Sequence, residues 1–181
     1  PSIRPARKRI EKKREKLVYI SMGTVNNNML RFYKNCITAL GRTPFQVILS
    51  VGSRIRAEDL GRLPENISVF SFVDQMAVLM EADVFLSHCG LNSVNESLAC
   101  RVPLVLCPQT AEQRGVAARV AQLAAGLPLK KKTPGAILEA VNRVMDTPSF
   151  AENAARIAQG FAKCSGAKGA ADKILQVCGE R

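Results

Sequence analysis

Short apolar runs rich in β-branched residues alternate along this chain with segments of helical character. The first run, LVYISMGT, begins at Leu17 and closes in a glycine turn. Strands that alternate with helices at this spacing are typical of a parallel sheet covered on both faces, so the pattern predicts an α/β fold. We expect one doubly wound, Rossmann-like sheet over residues 17–181. Further strands are predicted at 45–50, 67–72, 83–88 and 103–107, and helices at about 26–41, 74–82, 91–100, 110–125, 134–163 and 167–177, the first of them capped by Asn26 to Asn28.

The net charge of +11 is concentrated at one end of the chain. Residues 1–16 carry eight Lys or Arg against two Glu, and we interpret them as a basic linker. The largest basic cluster in the body is Lys130, Lys131 and Lys132. With two Tyr, seven Phe and no Trp, there is little aromatic material to stack on bases, so nucleic acid is not the partner that we expect.

The six cysteines form neither a Cys-x-x-Cys pair nor a compact framework. This scatter favours reduced thiols in a cytoplasmic protein and argues against a structural zinc site. No apolar run reaches the roughly 20 residues that a membrane-spanning helix needs, so we expect no stable insertion into a membrane.

The stretches with most chemical character follow the predicted strands. In doubly wound sheets the loops at the carboxyl ends of the strands form the ligand crevice. Three such stretches fall there, at 21–26, 72–75 and 87–96, and a fourth at 108–113 lies beside them. The sequence therefore predicts a single binding crevice at this edge of the sheet.

The stretch after His88, the only histidine, is suited to phosphate. Gly90 lets the backbone approach closely, and the helix that follows begins with unpaired amides and a positive dipole end. Asn92 and Ser93 can add hydrogen bonds to phosphate oxygens, while Glu96, one turn beyond, can accept bonds from vicinal hydroxyls such as those of ribose. The alternative is ordinary helix capping by Asn or Ser. His88 is expected to act as an electrostatic partner of an anion, not as a general base or metal ligand.

Two other stretches carry weaker signals. The SMGT turn can direct small side chains and amides, including Thr24, at the same phosphates, although such a turn is often only local geometry. PQTAEQ puts Glu112 and Gln113 at the start of a helix, where they can bind sugar hydroxyls or simply cap the helix.

Taken together, these residues resemble the carboxyl-terminal signature of the UDP-sugar-dependent glycosyltransferases, in particular the bacterial macrolide-type members. The family pattern, approximately F-x-x-H-G-G-x-N-S-x-x-E-x-L-x-x-G-V-P-x-x-x-x-P-x-x-x-D-Q, corresponds here to FLSHCGLNSVNESLACRVPLVLCPQTAEQ over residues 85–113. LVYISMGT and SFVDQMAVL also resemble family stretches, so the likeness covers about residues 17–126.

The resemblance implies one lobe of a GT-B glycosyltransferase, the lobe that binds the nucleotide sugar. The implied contacts are Phe72 and its neighbour Gln75 at uracil, His88, Asn92 and Ser93 at the diphosphate, Glu96 at the ribose, and Glu112 with Gln113 at the sugar. Thr24 is a secondary phosphate candidate. No cofactor and no divalent metal are required by the family's inverting reaction.

Several positions depart from the family pattern. Cys89 replaces the first glycine of His-Gly-Gly, and Glu112 replaces aspartate, which bears on the sugar preference. The other departures are Cys100 and Arg101 near the usual Gly-Val-Pro, Asp74 in place of proline, and Phe72 in place of the tryptophan of plant members.

In this family the general base is a histidine of an amino-terminal lobe, so we expect no catalytic residue in this chain. The basic residues 1–16 then stand as the interlobe linker, and residues 17–181 as the nucleotide-sugar-binding domain of a hexosyltransferase. The isolated chain is expected to bind a uridine nucleotide without efficient sugar transfer. Two alternatives stay open: a separate donor subunit that recruits an acceptor lobe, and a basic module that binds RNA or an anionic surface through 1–16 and 130–132.

Overall fold

Six parallel strands make up the sheet of this protein, whose computed structural model describes residues 10–25 and 27–179. Their order is β3-β2-β1-β4-β5-β6, so the chain winds outward from β1 in one direction and from β4 in the other. The strands are β1 (Leu17–Ser21), β2 (Gln46–Ser50), β3 (Ile67–Phe70), β4 (Val84–Ser87), β5 (Leu104–Leu106) and β6 (Gly126–Pro128). This order confirms the doubly wound prediction and puts the topological switch point between β1 and β4.

Seven α-helices and a short 3₁₀ helix (Ala57–Leu60) connect and cover the strands in the described chain. The helices are α1 (Leu30–Leu40), α2 (Gln75–Leu79), α3 (Leu91–Ala99), α4 (Ala111–Gln122), α5 (Pro134–Asp146), α6 (Pro148–Ala162) and α7 (Gly166–Gly179). Helices α1 and α5 pack on one face of the sheet, and α2, α3, α4 and α6 on the other. The residues of α7 are exposed or half-buried.

The alternation of side chains along β1 shows how the two cores form. Val18 and Ile20 enter the core under α1 and α5, whereas Leu17 and Tyr19 enter the opposite core. All four are essentially inaccessible to solvent because β1 lies at the centre of the sheet. A strand that is buried on both faces has a continuous apolar sequence, as LVYIS does.

The structure differs from the sequence prediction at three places. The sixth strand, Gly126–Pro128, was missed because GLP has neither β-branched residues nor alternation, and its pairing with β5 makes it a strand. The predicted helix 134–163 is two helices, since Pro148 begins α6 directly after Thr147. Helix α1 begins at Leu30 with Met29 as its N-cap, so the predicted asparagine cap is wrong for the described residues 27 and 28. Asn26 lies outside the described residues.

The end of the segment that the sequence predicts as a basic linker contacts the amino-terminal edge of the sheet. Lys12 Nζ lies 2.7 Å from Asp83 Oδ2, which also accepts a hydrogen bond from Leu17 N at 2.8 Å, and Lys16 Nζ lies 3.4 Å from Asp83 Oδ1. Lys13 N donates to Gln46 Oε1 at 2.7 Å. Residues 12–17 are therefore held by the chain segments that precede β4 and begin β2. Residues 1–9 lie outside the described residues.

No helix in the described ranges combines the length and the apolar character that crossing a bilayer requires.

Candidate functional site

A cleft of about 970 Å³ opens at the carboxyl edge of the sheet, where the loops after β1, β2, β3 and β4 meet. This is the switch point at which ligands of doubly wound sheets bind. The cleft brings together eight of the ten predicted site residues, namely Thr24, Phe72, Gln75, His88, Gly90, Asn92, Ser93 and Glu96. Glu112 and Gln113 are not among the described residues that line it.

The His88 ring fits between two glycines that belong to different loops. A Cβ atom on Gly23 would lie 2.6 Å from His88 Nε2, and a Cβ atom on Gly90 would lie at the same distance from it. Gly23 also has a φ of +81°, which side-chain-bearing residues rarely adopt. Only glycine at both positions leaves room for the imidazole, so the glycine turn after β1 has a role beyond local geometry.

The His88 imidazole is neutral in character in this environment. Burial lowers the pKa of His88, and the Ser21 backbone and the charge of Glu112 oppose that shift. Within the described residues His88 Nδ1 has no hydrogen-bond partner. An anion in the cleft would favour the protonated ring and raise this pKa.

Helix α3 begins at the cleft with Gly90 as its N-cap. Gly90 has an extended backbone conformation (φ −61°, ψ 137°). The amide groups in the first turn of α3 have no carbonyl acceptor within the helix, as at every helix start. Asn92 is exposed and Ser93 half-buried in this first turn. The arrangement offers backbone donors, a hydroxyl and an amide to a ligand that carries negative charge.

Cys89, where the family has glycine, adopts a left-handed φ of 67° and is fully buried. Its backbone N donates to Ser87 Oγ at 3.1 Å and its thiol to Ser87 O at 3.4 Å. Burial raises the pKa of the Cys89 thiol to about 12, so the thiol stays protonated and acts as a small apolar group. The substitution of cysteine for glycine thus leaves the backbone bend in place.

Gln75 links the polar side chains on the wall of the cleft. Its Nε2 donates to Glu96 Oε2 at 2.6 Å and to Ser93 Oγ at 3.2 Å, and its Oε1 accepts from the Tyr19 hydroxyl at 3.2 Å. Glu96 therefore faces the cleft and not the apolar interior. A carboxylate held in this way is placed to accept hydrogen bonds from ligand hydroxyls.

The loop after β3 carries an aromatic ring to the outer part of the cleft. Phe72 is 65% exposed, an unusual state for a large apolar side chain that lines a cavity. Asp74 follows it as the N-cap of α2, and its Oδ1 accepts from Ala77 N at 3.3 Å. The aspartate that replaces the family's proline thus caps the helix that carries Gln75.

Gln113 forms part of the capping box of α4. Its Oε1 accepts from Gln109 N at 2.8 Å and from Thr110 N at 3.2 Å, and Thr110 Oγ1 accepts from Gln113 N at 3.3 Å. This is the capping alternative that the sequence left open. Glu112 is exposed beside it, close enough to His88 to influence its pKa.

Several residues of the cleft were missed by sequence reasoning. They are Tyr19, Ser50, Gly52, Ser71 and Met76, whereas Ser21, Val73 and Asp74 belong to the predicted crevice stretches 21–26 and 72–75. Ser50 is the last residue of β2 and Gly52 lies just after it. No motif marks this strand end, and only the parallel pairing of β2 with β1 brings the two residues here. The carboxyl-edge rule applied to every strand would have found them.

Asn27 supports the cleft from behind. It is 2% exposed, and its Nδ2 donates to Gly23 O at 3.1 Å and Thr24 O at 3.4 Å. A Cβ atom on Gly52, which has a φ of +79°, would collide with this amide. Asn27 therefore braces its own loop, the one after β1, and lies close against Gly52 in the loop after β2 instead of capping α1.

The described residues include no group of three or more His, Cys, Asp or Glu side chains that could hold a metal ion.

Comparison with known proteins places this architecture among GT-B glycosyltransferases. The chain is similar to the calicheamicin glycosyltransferase CalG4, with a TM-score of 0.89 and 28% identity over 99% of this chain and 47% of that one. It is also similar to the glycotransferase of kitacinnamycin, with a TM-score of 0.88 and 31% identity over 96% of this chain and 46% of that one. The fold and the switch-point cleft thus define a lobe of the GT-B class.

Sequence relatives narrow the class to a family. The chain belongs to the family of the Erythromycin biosynthesis protein CIII-like C-terminal domain, whose model matches residues 34–174. It is 36% identical over 164 residues to the uncharacterized UDP-glucosyltransferase YojK of Bacillus subtilis (strain 168), covering 90% of this chain and 40% of the relative. It is 32% identical over 163 residues to the oleandomycin glycosyltransferase of Streptomyces antibioticus, covering 88% of this chain and 38% of the relative.

These findings confirm the resemblance to macrolide-type glycosyltransferases. The chain spans about two fifths of the length of these curated relatives.

Proposed function

We propose that this chain is the donor-binding half of an inverting glycosyltransferase, which transfers a hexose from a UDP-sugar or related NDP-sugar to a hydroxyl of a small-molecule acceptor. One observation carries the proposal: residues that follow three different strands, β1, β3 and β4, and that were predicted separately as nucleotide contacts, line a single cleft at the switch point. The names of relatives, a UDP-glucosyltransferase and an NDP-glycosyltransferase, agree with this donor class.

Each part of the cleft has the chemistry that one part of a nucleotide sugar needs. The exposed Phe72 ring offers a stacking surface for the base. The start of α3, with Ser93 and Asn92, suits a diphosphate, and Thr24 and His88 line the same cleft. Glu96 is a carboxylate acceptor for the two ribose hydroxyls.

The proposed reaction is attack of the acceptor hydroxyl on the anomeric carbon, with departure of the nucleoside diphosphate and inversion at that carbon. The donors at the start of α3 stabilise the negative charge that develops on the leaving group. Because these donors and His88 supply the positive potential, the scheme calls for no divalent metal and no cofactor. The general base is proposed to come from an amino-terminal lobe, so this chain alone binds donor and transfers little or no sugar.

The Glu112–Gln113 pair remains the proposed sugar contact. The capping bonds of Gln113 use its Oε1 and backbone N, which leaves its Nε2 hydrogens for a sugar hydroxyl. The cytoplasm is the compartment that we propose, because the six cysteines are free thiols.

Calorimetric titration with UDP tests the proposal. Ser93→Ala and Glu96→Ala should each weaken UDP binding about tenfold or more, since a hydrogen bond to a charged group contributes about 1.5–3 kcal/mol. Asn95→Ala is the matched control, because Asn95 lies on the same helix and is not among the lining residues. UDP affinity that survives both cleft substitutions would refute the site.

The same titration separates the competing hypotheses. Binding of RNA or an anionic surface through the basic clusters predicts affinity that falls steeply with salt and does not depend on Ser93 or Glu96. The comparisons give no support to this alternative or to a naturally separate donor subunit.

A further inference from the structure

The Tyr19 hydroxyl reaches the cleft from within the sheet. Tyr19 lies in the central strand β1, in register with Ile48 on β2 and Phe85 on β4. Its ring is 1% exposed and stacks on Phe85, with ring centroids 4.6 Å apart and an interplanar angle of 16°. Because the ring is fixed on both sides by neighbouring strands, the hydroxyl oxygen has a defined position at the base of the cleft.

This hydroxyl contacts the side chain that holds the ribose acceptor. The Tyr19 hydroxyl donates to Gln75 Oε1 at 3.2 Å, and Gln75 Nε2 donates to Glu96 and Ser93. A primary amide has one accepting and one donating end, so a donor at Oε1 turns the donating end toward the carboxylate. The bond from Tyr19 and the bond to Glu96 therefore select the same orientation of Gln75.

Tyr19 stays a hydrogen-bond donor throughout the neutral range. Burial raises the pKa of Tyr19, and the charge of Glu96 raises it further, against the opposing effect of the Ser21 and Ser50 hydroxyls beside it. The phenol is consequently protonated whether or not Glu96 is ionised.

We propose that Tyr19 is a positioning residue for nucleotide binding: it orients the Gln75 amide, which in turn holds Glu96 ready for the ribose hydroxyls. This inference rests on the proposed function. Tyr19 does not contact the ribose itself; it acts through Gln75. Its contribution is that the carboxylate is already placed when the ligand arrives, which lowers the cost of ordering the site on binding.

A double-mutant cycle tests whether Tyr19 acts through Gln75. Tyr19→Phe should weaken UDP binding about three- to tenfold, the effect of losing one hydrogen bond. In a Gln75→Ala background the same substitution should change the affinity less than about twofold, because the intermediary is gone. Effects that simply add would overturn the proposal.

A matched control is available in Tyr33→Phe. Tyr33 is equally buried, with its ring in the core on the other face of the sheet, and its hydroxyl donates to the Ser50 backbone oxygen at 3.4 Å and not to Gln75. This substitution removes a buried phenol without touching the Gln75 network, so UDP affinity should stay within about twofold. An equal loss in both variants would indicate a general effect of buried hydroxyls and contradict the specific role.

A second measurement identifies the ribose as the point of action. The preference of the protein for UDP over 2′-deoxyuridine diphosphate should fall in Tyr19→Phe by about the same three- to tenfold factor, since only the ribonucleotide presents both hydroxyls to Glu96. An unchanged preference would mean that Tyr19 acts elsewhere, and the proposal would fail.

A ligand-free readout keeps this inference distinct from the proposed function. In the NMR spectrum, the Gln75 side-chain amide, assigned by its loss in Gln75→Ala, should show two well-separated proton signals that exchange slowly with solvent. Tyr19→Phe should bring them together and speed their exchange. If wild type does not bind UDP, the proposed function fails, while this measurement still decides whether Tyr19 orients Gln75. Unaltered amide signals would refute the positioning role.

Discussion

At the scale of single residues, the site depends on an imidazole that two glycines accommodate. The sequence singled out His88 because it is the only histidine. The residues that surround its ring, Gly23 and Gly90, belong to two different loops, after β1 and after β4. Burial lowers the pKa of His88 below its ordinary value of 6.5. This shift has consequences for both stability and ligand binding.

His88 is expected to make the protein less stable as the pH falls. Between the folded and unfolded pKa values the unfolded chain binds more protons, so the free energy of unfolding decreases as the pH is lowered through that window. The loss is complete below the folded-state pKa. Denaturant melts at pH 7.5 and about 5.5, above the range where most carboxylates titrate, should show this loss in wild type and less of it in His88→Gln.

The same residue provides a direct test of anion binding. With one histidine, a single imidazole Hε1 signal can be followed by NMR through a pH titration. Its pKa should lie below 6.5 in the free protein and rise when UDP is added, because the diphosphate favours the imidazolium. A pKa that does not respond to saturating UDP would place the diphosphate away from His88.

At the scale of secondary-structure elements, two helices end in the same way without the glycine that this ending favours. After α3, Arg101 N donates to Leu98 O at 3.0 Å and Val102 N to Ser97 O at 2.9 Å, and Arg101 has a φ of 63°. After α4, Ala124 occupies the equivalent position with a φ of 49°. These are Schellman motifs, in which a side chain at the left-handed residue costs about 1 kcal/mol.

Arg101→Gly should therefore stabilise the protein by about 0.5–1 kcal/mol, because glycine adopts the left-handed conformation without strain. Arg101 is exposed, so little packing is lost. Arg101→Ala removes the same side chain but keeps the strain, and it should leave the free energy of unfolding nearly unchanged. Equal stability of the two variants would show that the backbone at residue 101 relaxes without cost.

The capping box of α4 leads to a second prediction at this scale. Gln113→Ala should cost about 1 kcal/mol of stability, because Gln109 N and Thr110 N lose their acceptor. Arg114→Ala, one residue along on the exposed side of the same helix, should cost little. Thermal melts measure both, and a neutral Gln113→Ala would show that water replaces the cap.

At the scale of the whole molecule, the cleft and the contacts of residues 12–17 lie at opposite edges of the sheet. The switch-point cleft lies at the carboxyl ends of the strands, while Asp83 holds Lys12 and Leu17 at the amino ends. The central strands between them, β1, β4 and β5, are buried on both faces. Substitutions at one edge should consequently have little effect at the other.

Asp83→Asn should lower the free energy of unfolding by about 1–2 kcal/mol, through its weakened bonds to Lys12 Nζ and Leu17 N, and leave UDP affinity within twofold. Lys12→Ala should reproduce part of the loss. Lys13→Ala, the neighbouring cation whose backbone rather than side chain contacts the body, should not. A drop in UDP affinity with unchanged stability would contradict this separation of the two edges.

Local pattern was sufficient for much of this protein. The apolar runs predicted five of the six strands, and the carboxyl-edge rule placed Phe72, His88 and Glu96 in one crevice. Both results are readable from short stretches of sequence, because a strand that is buried on two faces has a continuous apolar run, and the residues after parallel strands all lie at the same edge of the sheet.

Tertiary structure decided the remainder. The three-residue strand Gly126–Pro128 exists because β5 offers it an edge to pair with, and Tyr19 belongs to the cleft because its register with Phe85 holds the hydroxyl against Gln75. Asn27 braces the loop after β1 instead of capping α1, and Gln113 caps α4. The role of Tyr19 depends on Gln75, a partner 56 residues away in the chain. The role of Asn27 depends on the carbonyl oxygens of Gly23 and Thr24, which its side chain bonds to instead of the helix start. The sequence by itself determined which groups reach the crevice edge. Packing between distant strands and loops decided which of these groups touch, because a hydrogen bond requires two groups to meet in space and not merely to have suitable chemistry.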